Sequence, residues 1–289
     1  MRLCMFKTVD GPPGGYPGRI EDDRIVQLDA PDLIAVLERR GQVPPTGAVW
    51  PTADVELLAP VPRPPSIRDF FAFEQHVATA RANRGSTVPA EWYEFPVFYF
   101  SNPAAIVAHG AEIPYPDGTA ELDYELEVAA VIGADGEIGG FTVLNDWSAR
   151  DIQRKEMRVG LGPAKAKDFA ISLGPVLVTA DEFDGSHAVM TARVNGEERS
   201  RGNLADLHHP WPAILAQAAR NTELRPGDVI GSGTVGSGCI LEHDDGRWLT
   251  VGDVVELEVE GIGILRNRIG PPRGGHPLLG PPGLPGKAA

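Results

Sequence analysis

The residues best suited to chemistry in this chain are carboxylates in two short segments. Glu125 and Glu127 lie two apart in an apolar run, residues 122–132, whose composition is typical of a β-strand. Side chains two apart project from the same face of a strand, so we expect the two carboxylates to lie side by side. Two like charges destabilise each other unless a cation or a shared proton compensates. A hard divalent cation would compensate, and the pattern therefore predicts a metal site.

A third carboxylate and two possible donors follow within the segment 145–153. Asp146 ends a strand-like stretch, residues 141–144, and precedes a predicted helix. The ends of strands and the starts of helices commonly carry functional residues. Arg150 and Gln153 are three apart and share one face of that helix, which we expect to look toward Asp146. A guanidinium and an amide would then flank the metal site.

The elements that must position these groups are mostly short strands separated by turns rich in Gly, Pro and Asn. Helices are predicted at 32–40, at 148–157, where Ser148 resembles the start of a capping box, and at 211–221, where a proline occupies the first turn. The pair Asn195-Gly196 predicts a hairpin. The pattern predicts an α+β fold class that is rich in β-structure.

Composition divides the chain into three parts. The proline-rich run 60–65 cannot form a packed element, so we place a domain boundary there. Residues 1–60, which begin with a predicted strand at 2–9, are expected to form a small N-terminal α+β domain. Residues 61–270 are expected to form the main domain. The Gly/Pro-rich tail, residues 271–289, is predicted to be a linker or arm.

The overall composition excludes several classes of protein. The chain has 289 residues, of which 42% are hydrophobic and 23% charged, as in ordinary globular proteins. No apolar stretch approaches the roughly 18 residues of a membrane helix, and the N terminus lacks the apolar core of a signal peptide, so we expect a cytoplasmic protein without a membrane partner. Cys4 and Cys239 are the only cysteines and give no disulfide framework. A net charge of -14 without a basic run argues against a nucleic-acid partner.

Several further motifs occur in a consistent order along the chain. They are Asp69-Phe70-x-x-x-x-x-His76, Pro96-Val97-x-Tyr99, Glu125-x-Glu127, Asn145-Asp146-x-Ser148-x-Arg150-Asp151-x-Gln153, Lys167-x-Phe169, Gly233-Thr234, Leu241-Glu242 and Gly263-x-Leu265-x-Asn267-x-Ile269. Together they resemble the fumarylacetoacetate hydrolase family, from about residue 67 to residue 269. The short N-terminal segment is similar to that of the shorter bacterial-type members. The resemblance implies a mixed β-sandwich roll and a homodimer.

The resemblance also implies a role for each matched residue. The metal ligands would be Asp69, Glu125, Glu127 and Asp146, which would hold Mg²⁺, with Ca²⁺ or Mn²⁺ also possible. A dyad of His76 and Glu242 would activate water, and an oxyanion would be stabilised by Arg150, Gln153 and Lys167. Contacts with a small oxo-acid or diketone substrate would come from Phe71, Arg84, Tyr99 and Thr234.

Three residues in or beside these motifs have competing interpretations. Phe71 stands where the namesake enzyme of the family has a tyrosine that contacts substrate, which weakens fumarylacetoacetate as the substrate here. Lys165 competes with Lys167, and only the Lys-x-Phe match favours the latter. Asp123 shares the spacing of Glu125 but is expected either behind the metal ligands or in solvent.

These residues predict hydrolysis of a carbon-carbon bond in a 1,3-diketone or an acylpyruvate-type acid. Two oxygens of such a compound can chelate a hard cation, and a neutral His76 oriented by Glu242 can take a proton from water. One alternative is decarboxylation, tautomerisation or hydration of a 2-oxo acid through an enolate that the cation holds. Another is a non-catalytic, metal-stabilised binding protein, which would have no use for the dyad and the donors.

One glycine motif points to a different function. Gly231-x-Gly233-x-x-Gly236 fits the dinucleotide-binding fingerprint and follows a strand-like segment. The residues after it do not begin a helix, so no helix dipole is available for a pyrophosphate. We interpret the glycines as a turn that lets the backbone approach the substrate.

Overall fold

A computed structural model describes residues 1–273 of the chain. Its strands are β1 (Arg2–Lys7), β2 (Tyr16–Glu21), β3 (Arg24–Leu28), β4 (Pro45–Pro51), β5 (Glu56–Leu58), β6 (Ile67–Phe70), β7 (Phe98–Phe100), β8 (Ile106–Val107), β9 (Glu112–Pro114), β10 (Leu122–Asp123), β11 (Leu126–Ile132), β12 (Ile138–Asp146), β13 (Ser148–Ala149), β14 (Ile171–Thr179), β15 (Val189–Val194), β16 (Glu197–Asn203), β17 (Val229–Gly231), β18 (Val254–Val259) and β19 (Gly263–Gly270). Its α-helices are α1 (Leu33–Glu38), α2 (Glu74–Ala82), α3 (Ala90–Glu94), α4 (Arg150–Val159) and α5 (Trp211–Ala219).

Two sheets pack face to face. Twelve strands form a mixed sheet with the order β4-β3-β2-β1-β14-β12-β11-β17-β6-β7, in which β5 also pairs with β1 and β8 with β14. Five strands form a second sheet in the order β16-β15-β18-β19-β9. Strands β11, β12 and β14 of the first sheet contact β15, β18 and β19 of the second. The predicted α+β, strand-rich fold and its β-sandwich roll are confirmed.

The central strand β11 is buried on both faces. Leu126, Val128 and Ala130 pack into the core between the two sheets, whereas Ala129 and Val131 pack into a second core on the opposite face. Burial on both sides explains why this segment reads as a continuous apolar run rather than as an alternating one.

The N-terminal strands extend the same large sheet. Strand β1 pairs with β14 in an antiparallel register, Leu3 opposite Leu177, and strands β2 to β4 continue outward from β1. The proline-rich run 60–65 connects β5 to β6. The division of the chain into a small and a main domain stays a prediction. Of the predicted tail, residues 274–289 lie outside the described residues.

Several local predictions are confirmed. Asn195 and Gly196 both have positive φ, 53° and 82°, and join β15 to β16 as a hairpin. Helix α1 begins after Asp32, whose carboxylate accepts a hydrogen bond from the amide of Ala35 at 2.9 Å. Helix α5 begins at Trp211, as predicted. No helix within residues 1–273 is long and apolar enough to cross a membrane.

The predicted capping box at Ser148 is wrong. Ser148 lies in the two-residue strand β13, opposite Asp123 of β10, and helix α4 begins only at Arg150. The hydroxyl of Ser148 donates to the carbonyl of Asp146 at 3.0 Å and makes no bond to the helix. Pairing with β10 therefore determines the backbone conformation of Ser148.

Candidate functional site

Three carboxylates meet near one edge of the large sheet. Asp69 lies on β6, Glu127 on β11 and Glu125 in the residue before β11, and oxygens from the three side chains all lie within 4.8 Å of one another. All three residues are buried; Glu127 has no exposed surface. The structure thus brings together three of the four predicted metal ligands from distant parts of the sequence.

Gly231 allows two of these carboxylates to lie so close. Strand β17 runs between β6 and β11, and Gly231 pairs with Asp69 on one side and Ala129 on the other. A Cβ atom at Gly231 would lie 2.3 Å from Oδ1 of Asp69 and 3.1 Å from Oε2 of Glu127. The glycine therefore makes room for carboxylates rather than for substrate. The next element after β17 is the three-residue 3₁₀ turn Ile240–Glu242 and not an α-helix, so the glycines do not open a helix as a dinucleotide fingerprint would require.

Asp146, the fourth predicted ligand, is joined to this cluster by an ammonium group. The Nζ atom of Lys167 donates to Oε2 of Glu125 at 2.6 Å and also to Oδ2 of Asp146. The hydroxyl of Tyr99 donates to the same oxygen of Asp146 at 2.6 Å. The competing Lys165 is exposed and pairs with Asp168, so the lysine at the site is Lys167.

The carboxylates differ strongly in charge preference. Burial favours the neutral form of Glu125, but the charges of Lys167 and Arg150 outweigh burial and hold its pKa at about 2. Burial and the nearby charge of Asp69 raise the pKa of Glu127 well above its usual range. Burial and the charge of Asp146 likewise raise the pKa of Asp69. Burial also raises the pKa of Asp146, although the charge of Lys167 opposes it. Of the four carboxylates, only Asp69 and Glu127 form no ion pair within residues 1–273.

The donor set fits a hard divalent cation. Within the described chain, Oδ1 of Asp69, Oε2 of Glu127 and Oδ1 of Asp146 are buried and have no hydrogen-bond partner. Such buried acceptors are costly unless something satisfies them. Anionic oxygen ligands suit Mg²⁺, Mn²⁺ or Ca²⁺ better than metals that prefer sulfur or nitrogen.

The predicted histidine and glutamate form a contact beside the carboxylates. His76 lies in the first turn of α2, and its Nδ1 is 2.9 Å from Oε2 of Glu242. Burial raises the pKa of Glu242. The hydrogen bond and charge of His76, with hydrogen bonds from the amide of Ser237 and the thiol of Cys239, together outweigh burial and lower the pKa. With Nδ1 engaged, the other ring nitrogen of His76, Nε2, is the one available to a substrate.

The predicted helix donors also meet, although they face a different carboxylate from the one expected. Nη1 of Arg150 donates to Oε1 of Gln153 at 3.1 Å. Nη2 of Arg150 lies 2.8 Å from Oε1 of Glu125. The expectation that this face looks toward Asp146 is wrong, because Lys167 occupies the space next to Asp146.

A cavity of about 260 Å³ connects these groups. Its wall contains every predicted site residue except Asp146 and Glu242, and the four predicted substrate contacts among them are Phe71, Arg84, Tyr99 and Thr234. Thr234 donates to Oε1 of Glu127 at 3.2 Å. The edge of the Phe71 ring contacts His76, with ring centroids 5.2 Å apart. Tyr99 and Thr234 therefore hold carboxylates in place in addition to lining the cavity.

Two further residues of the site were missed or left undecided by sequence reasoning. Asp123 is completely buried and contacts Arg150. The thiol of Cys239 lies 3.4 Å from Oε2 of Glu242 and donates to it. The only sequence signals were the alternate spacing of Asp123 with Glu125 and the position of Cys239 three residues before Glu242.

Comparisons with known proteins agree with one another. A family model described as fumarylacetoacetate (FAA) hydrolase C-terminal matches residues 66–270, and one described as Rv2993c-like, N-terminal matches residues 1–60. The chain is 29% identical to oxaloacetate tautomerase YisK of Bacillus subtilis (strain 168), over 77% of this chain and 75% of that protein. It is 30% identical to mitochondrial oxaloacetate tautomerase FAHD2A of Homo sapiens, over 76% of this chain and 71% of that protein.

A solved structure has a similar fold over nearly the whole chain. The 5-carboxymethyl-2-hydroxymuconate delta-isomerase from Mycobacterium smegmatis superposes with a TM-score of 0.74 at 30% identity. The match covers 94% of this chain and 100% of that one. The similarity therefore includes the N-terminal strands as well as the sheet that carries the carboxylates.

Proposed function

This chain belongs to the fumarylacetoacetate hydrolase family, and on that premise we propose a divalent-metal-dependent enzyme that acts on a small 2-oxo acid. The observation that carries the proposal is the meeting, around one buried cavity, of three carboxylates, a histidine-glutamate pair and three cationic or amide donors. The relatives reported above are named tautomerases and an isomerase. Hydrolysis, the reaction predicted from the sequence, is therefore one of several reactions that this site could perform.

The cation would be held by Asp69, Glu125 and Glu127, with Asp146 as the fourth ligand. Mg²⁺ is our first choice, and Ca²⁺ or Mn²⁺ would suit the same oxygens. When bound, such an ion supplies positive charge next to the carbonyl oxygens of an oxo acid and so polarises them. Ion pairs with Lys167 and Arg150 partly compensate the charges of Glu125 and Asp146, which limits the negative charge that an anionic substrate would meet.

The reaction that we favour is keto-enol tautomerisation of a 2-oxo dicarboxylic acid. Nε2 of His76 would remove a proton from the carbon next to the 2-oxo group, and the electron pair of that C–H bond would form the C=C bond of an enolate. Return of the proton from Nε2 to the 2-oxo oxygen would complete the enol. Glu242, bonded to Nδ1, would stabilise the imidazolium that results. Arg150, Gln153 and Lys167 would stabilise the charge that develops on oxygen, each by roughly 3 kcal/mol if it acts like a single oxyanion donor. The reverse transfer of the proton from Nε2 to carbon regenerates the ketone.

Hydrolysis of a carbon-carbon bond is the second candidate, and the orientation of His76 supports it. Because Glu242 engages Nδ1, Nε2 could instead take a proton from water. The hydroxide oxygen would attack the carbonyl of a 1,3-dicarbonyl compound, the carbon-carbon bond would break, and the departing carbon would receive the proton from Nε2. A protein that only binds metal would not need this orientation.

Product analysis with Mg²⁺ tests both candidates. Incubation of the full chain with the enol form of a 2-oxo dicarboxylate should accelerate loss of the enol absorbance, and NMR should show an intact carbon skeleton. Incubation with an acylpyruvate would release two acids if the chain is a hydrolase. Turnover of neither substrate class by protein that demonstrably holds the metal would overturn the proposal and favour a non-catalytic metal-stabilised protein.

We also propose the homodimer that the family resemblance implies, which light scattering would test.

A further inference from the structure

Asp123 is a buried carboxylate that contacts two different parts of the proposed site. Its Oδ2 accepts a hydrogen bond from Nε of Arg150 at 2.7 Å and from the amide of Leu241 at 3.1 Å. Its Oδ1 accepts from the amide of Ile240 at 2.7 Å. Because the side chain has no exposed surface, the three donors replace the water that the carboxylate would otherwise bind.

On one side, Asp123 determines how the guanidinium of Arg150 is oriented. Arginine presents its N–H groups in a rigid planar fork, so holding Nε fixes the directions of both terminal nitrogens. In this orientation Nη2 faces Glu125 and Nη1 donates to Gln153. Asp123 therefore directs the guanidinium toward the cavity.

On the other side, Asp123 holds the turn that carries Glu242. Ile240 and Leu241 are the first two residues of the 3₁₀ turn Ile240–Glu242, and amides at the start of such a turn have no partner within it. Asp123 accepts both amides. Their fixed position places the carboxylate of Glu242 against His76.

We propose that Asp123 is a positioning residue that couples the Arg150 donor to the His76–Glu242 dyad. Its effect on the rate rests on the proposed function, whereas its effect on the turn does not. Asp123→Asn keeps the shape but replaces one oxygen with an N–H donor. That donor would oppose either Arg150 or a backbone amide, so at least one of the contacts must break.

Amide exchange tests the structural part without any assay of turnover. In Asp123→Asn the NH2 group replaces the acceptor of either Ile240 or Leu241, so at least one of these two amides should exchange at least about tenfold faster, as expected when a hydrogen bond to a charged acceptor is lost. The matched control is Asp228→Asn. Asp228 is also buried, accepts from the amide of Arg225 at 2.8 Å and lies 3.7 Å from the guanidinium of Arg68. Asp228→Asn should leave the exchange of Ile240 and Leu241 unchanged.

Kinetics test whether Asp123 acts through Glu242. Asp123→Asn should lower kcat by about tenfold with little change in KM, because the contacts that it loses position catalytic groups. If Asp123 acts through Glu242, Asp123→Asn should lower kcat much less in a protein that already carries Glu242→Gln than in the wild type. The control Asp228→Asn should keep the wild-type kcat. If the double variant loses as much kcat as the two single variants together, the coupling is overturned.

The outcomes separate this inference from the proposed function. Absence of turnover by the wild-type chain would remove the proposed function, but amide exchange would still decide the role of Asp123. Normal turnover with an unchanged kcat in Asp123→Asn would remove only the positioning role. If Asp123→Asn does not fold, Arg150→Gln gives the same information: the exchange of Ile240 and Leu241 should accelerate, and unchanged exchange would overturn the coupling.

Discussion

The carboxylate cluster has two halves that differ in how their charge is compensated. The closed half consists of Glu125 and Asp146, which Lys167 bridges; the open half consists of Asp69 and Glu127. Glu125 and Glu127 are two residues apart and both buried, yet the pKa of the first is about 2 and that of the second is raised well above its usual range. Burial alone therefore does not determine the charge of these two groups, because Arg150 and Lys167 form ion pairs with Glu125, whereas no cation within residues 1–273 forms an ion pair with Glu127.

This difference indicates where a metal ion would be needed. In the open half, Oδ1 of Asp69 and Oε2 of Glu127 are buried without a partner among residues 1–273, and neither side chain forms an ion pair there, whereas in the closed half only Oδ1 of Asp146 lacks a partner. In the closed half, Lys167 and Tyr99 already donate to Asp146, and Lys167 and Arg150 compensate Glu125. The cation would thus complete the open half, and the protein itself prepares the closed half.

Removing one glutamate from each half gives the largest contrast. Glu125→Gln should lower the free energy of unfolding of the metal-free protein by about 3–5 kcal/mol, because it leaves the buried Lys167 with less negative charge to pair with. Glu127→Gln should change it little, since glutamine resembles the protonated carboxyl group that its raised pKa favours. Urea unfolding in the presence of a chelator measures both. Equal destabilisation by the two substitutions would show that the halves do not differ.

The proposed catalytic dyad, His76 and Glu242, lies outside both halves, so its loss should affect turnover rather than metal binding. His76→Ala should reduce kcat by about 10²–10⁴-fold, as for other general acid-base groups, while metal binding stays normal. His187→Ala, at an exposed position, serves as the control and should keep full activity. Turnover that survives His76→Ala would assign proton transfer to a different group.

A smaller effect is expected where a hydroxyl supports the closed half. Tyr99→Phe removes the donor to Oδ2 of Asp146 and should cost about 1.5 kcal/mol of stability, typical of a hydrogen bond to a charged group. Tyr93→Phe is the control, because the hydroxyl of Tyr93 donates at the same kind of distance, 2.7 Å, to the exposed Glu74. Thermal unfolding of the two variants should show a clear loss only for Tyr99→Phe.

The smallest expected effect is a pH dependence to which the open half contributes. The raised pKa values of Asp69 and Glu127, like those of Asp146 and Asp123, contribute stability to the metal-free protein at low pH, which is lost as the pH rises through their folded-state values. The lowered pKa of Glu125 acts oppositely, and its contribution is lost only as the pH falls toward about 2. Melting temperatures of the metal-free chain should therefore fall as the pH rises above the usual pKa range of carboxyl groups. In Glu127→Gln the melting temperature should fall less steeply with pH. An unchanged slope would assign the pH dependence to other groups.

Sequence reasoning could select the carboxylates of the site but not how their charges are compensated. Alternate spacing and ordered motifs were sufficient to select Glu125, Glu127 and Asp146 as candidate ligands, because these features lie within short segments. The bridge from Lys167 to Glu125 joins residues 42 apart, and the bond from Asp123 to Ile240 joins residues 117 apart. Such contacts depend on how the strands assemble, which no local pattern records.

Errors in the local predictions have the same origin. The sequence around Ser148 satisfies a helix-start pattern, but pairing between β13 and β10 overrides it. The glycine at 231 was expected to approach substrate, whereas the neighbouring strands place two carboxylates against it. In both cases tertiary pairing decided between two conformations or roles that the local sequence allows.

Calorimetric titration with Mn²⁺ would show whether a cation binds between Asp69 and Glu127. We expect one ion per chain, release of protons on binding because raised-pKa carboxyl groups must ionise, and an affinity that increases with pH. We also expect Asp69→Asn and Glu127→Gln to lose most of this affinity. Binding of Mn²⁺ with wild-type affinity by both variants would contradict the claim that a cation completes the open half.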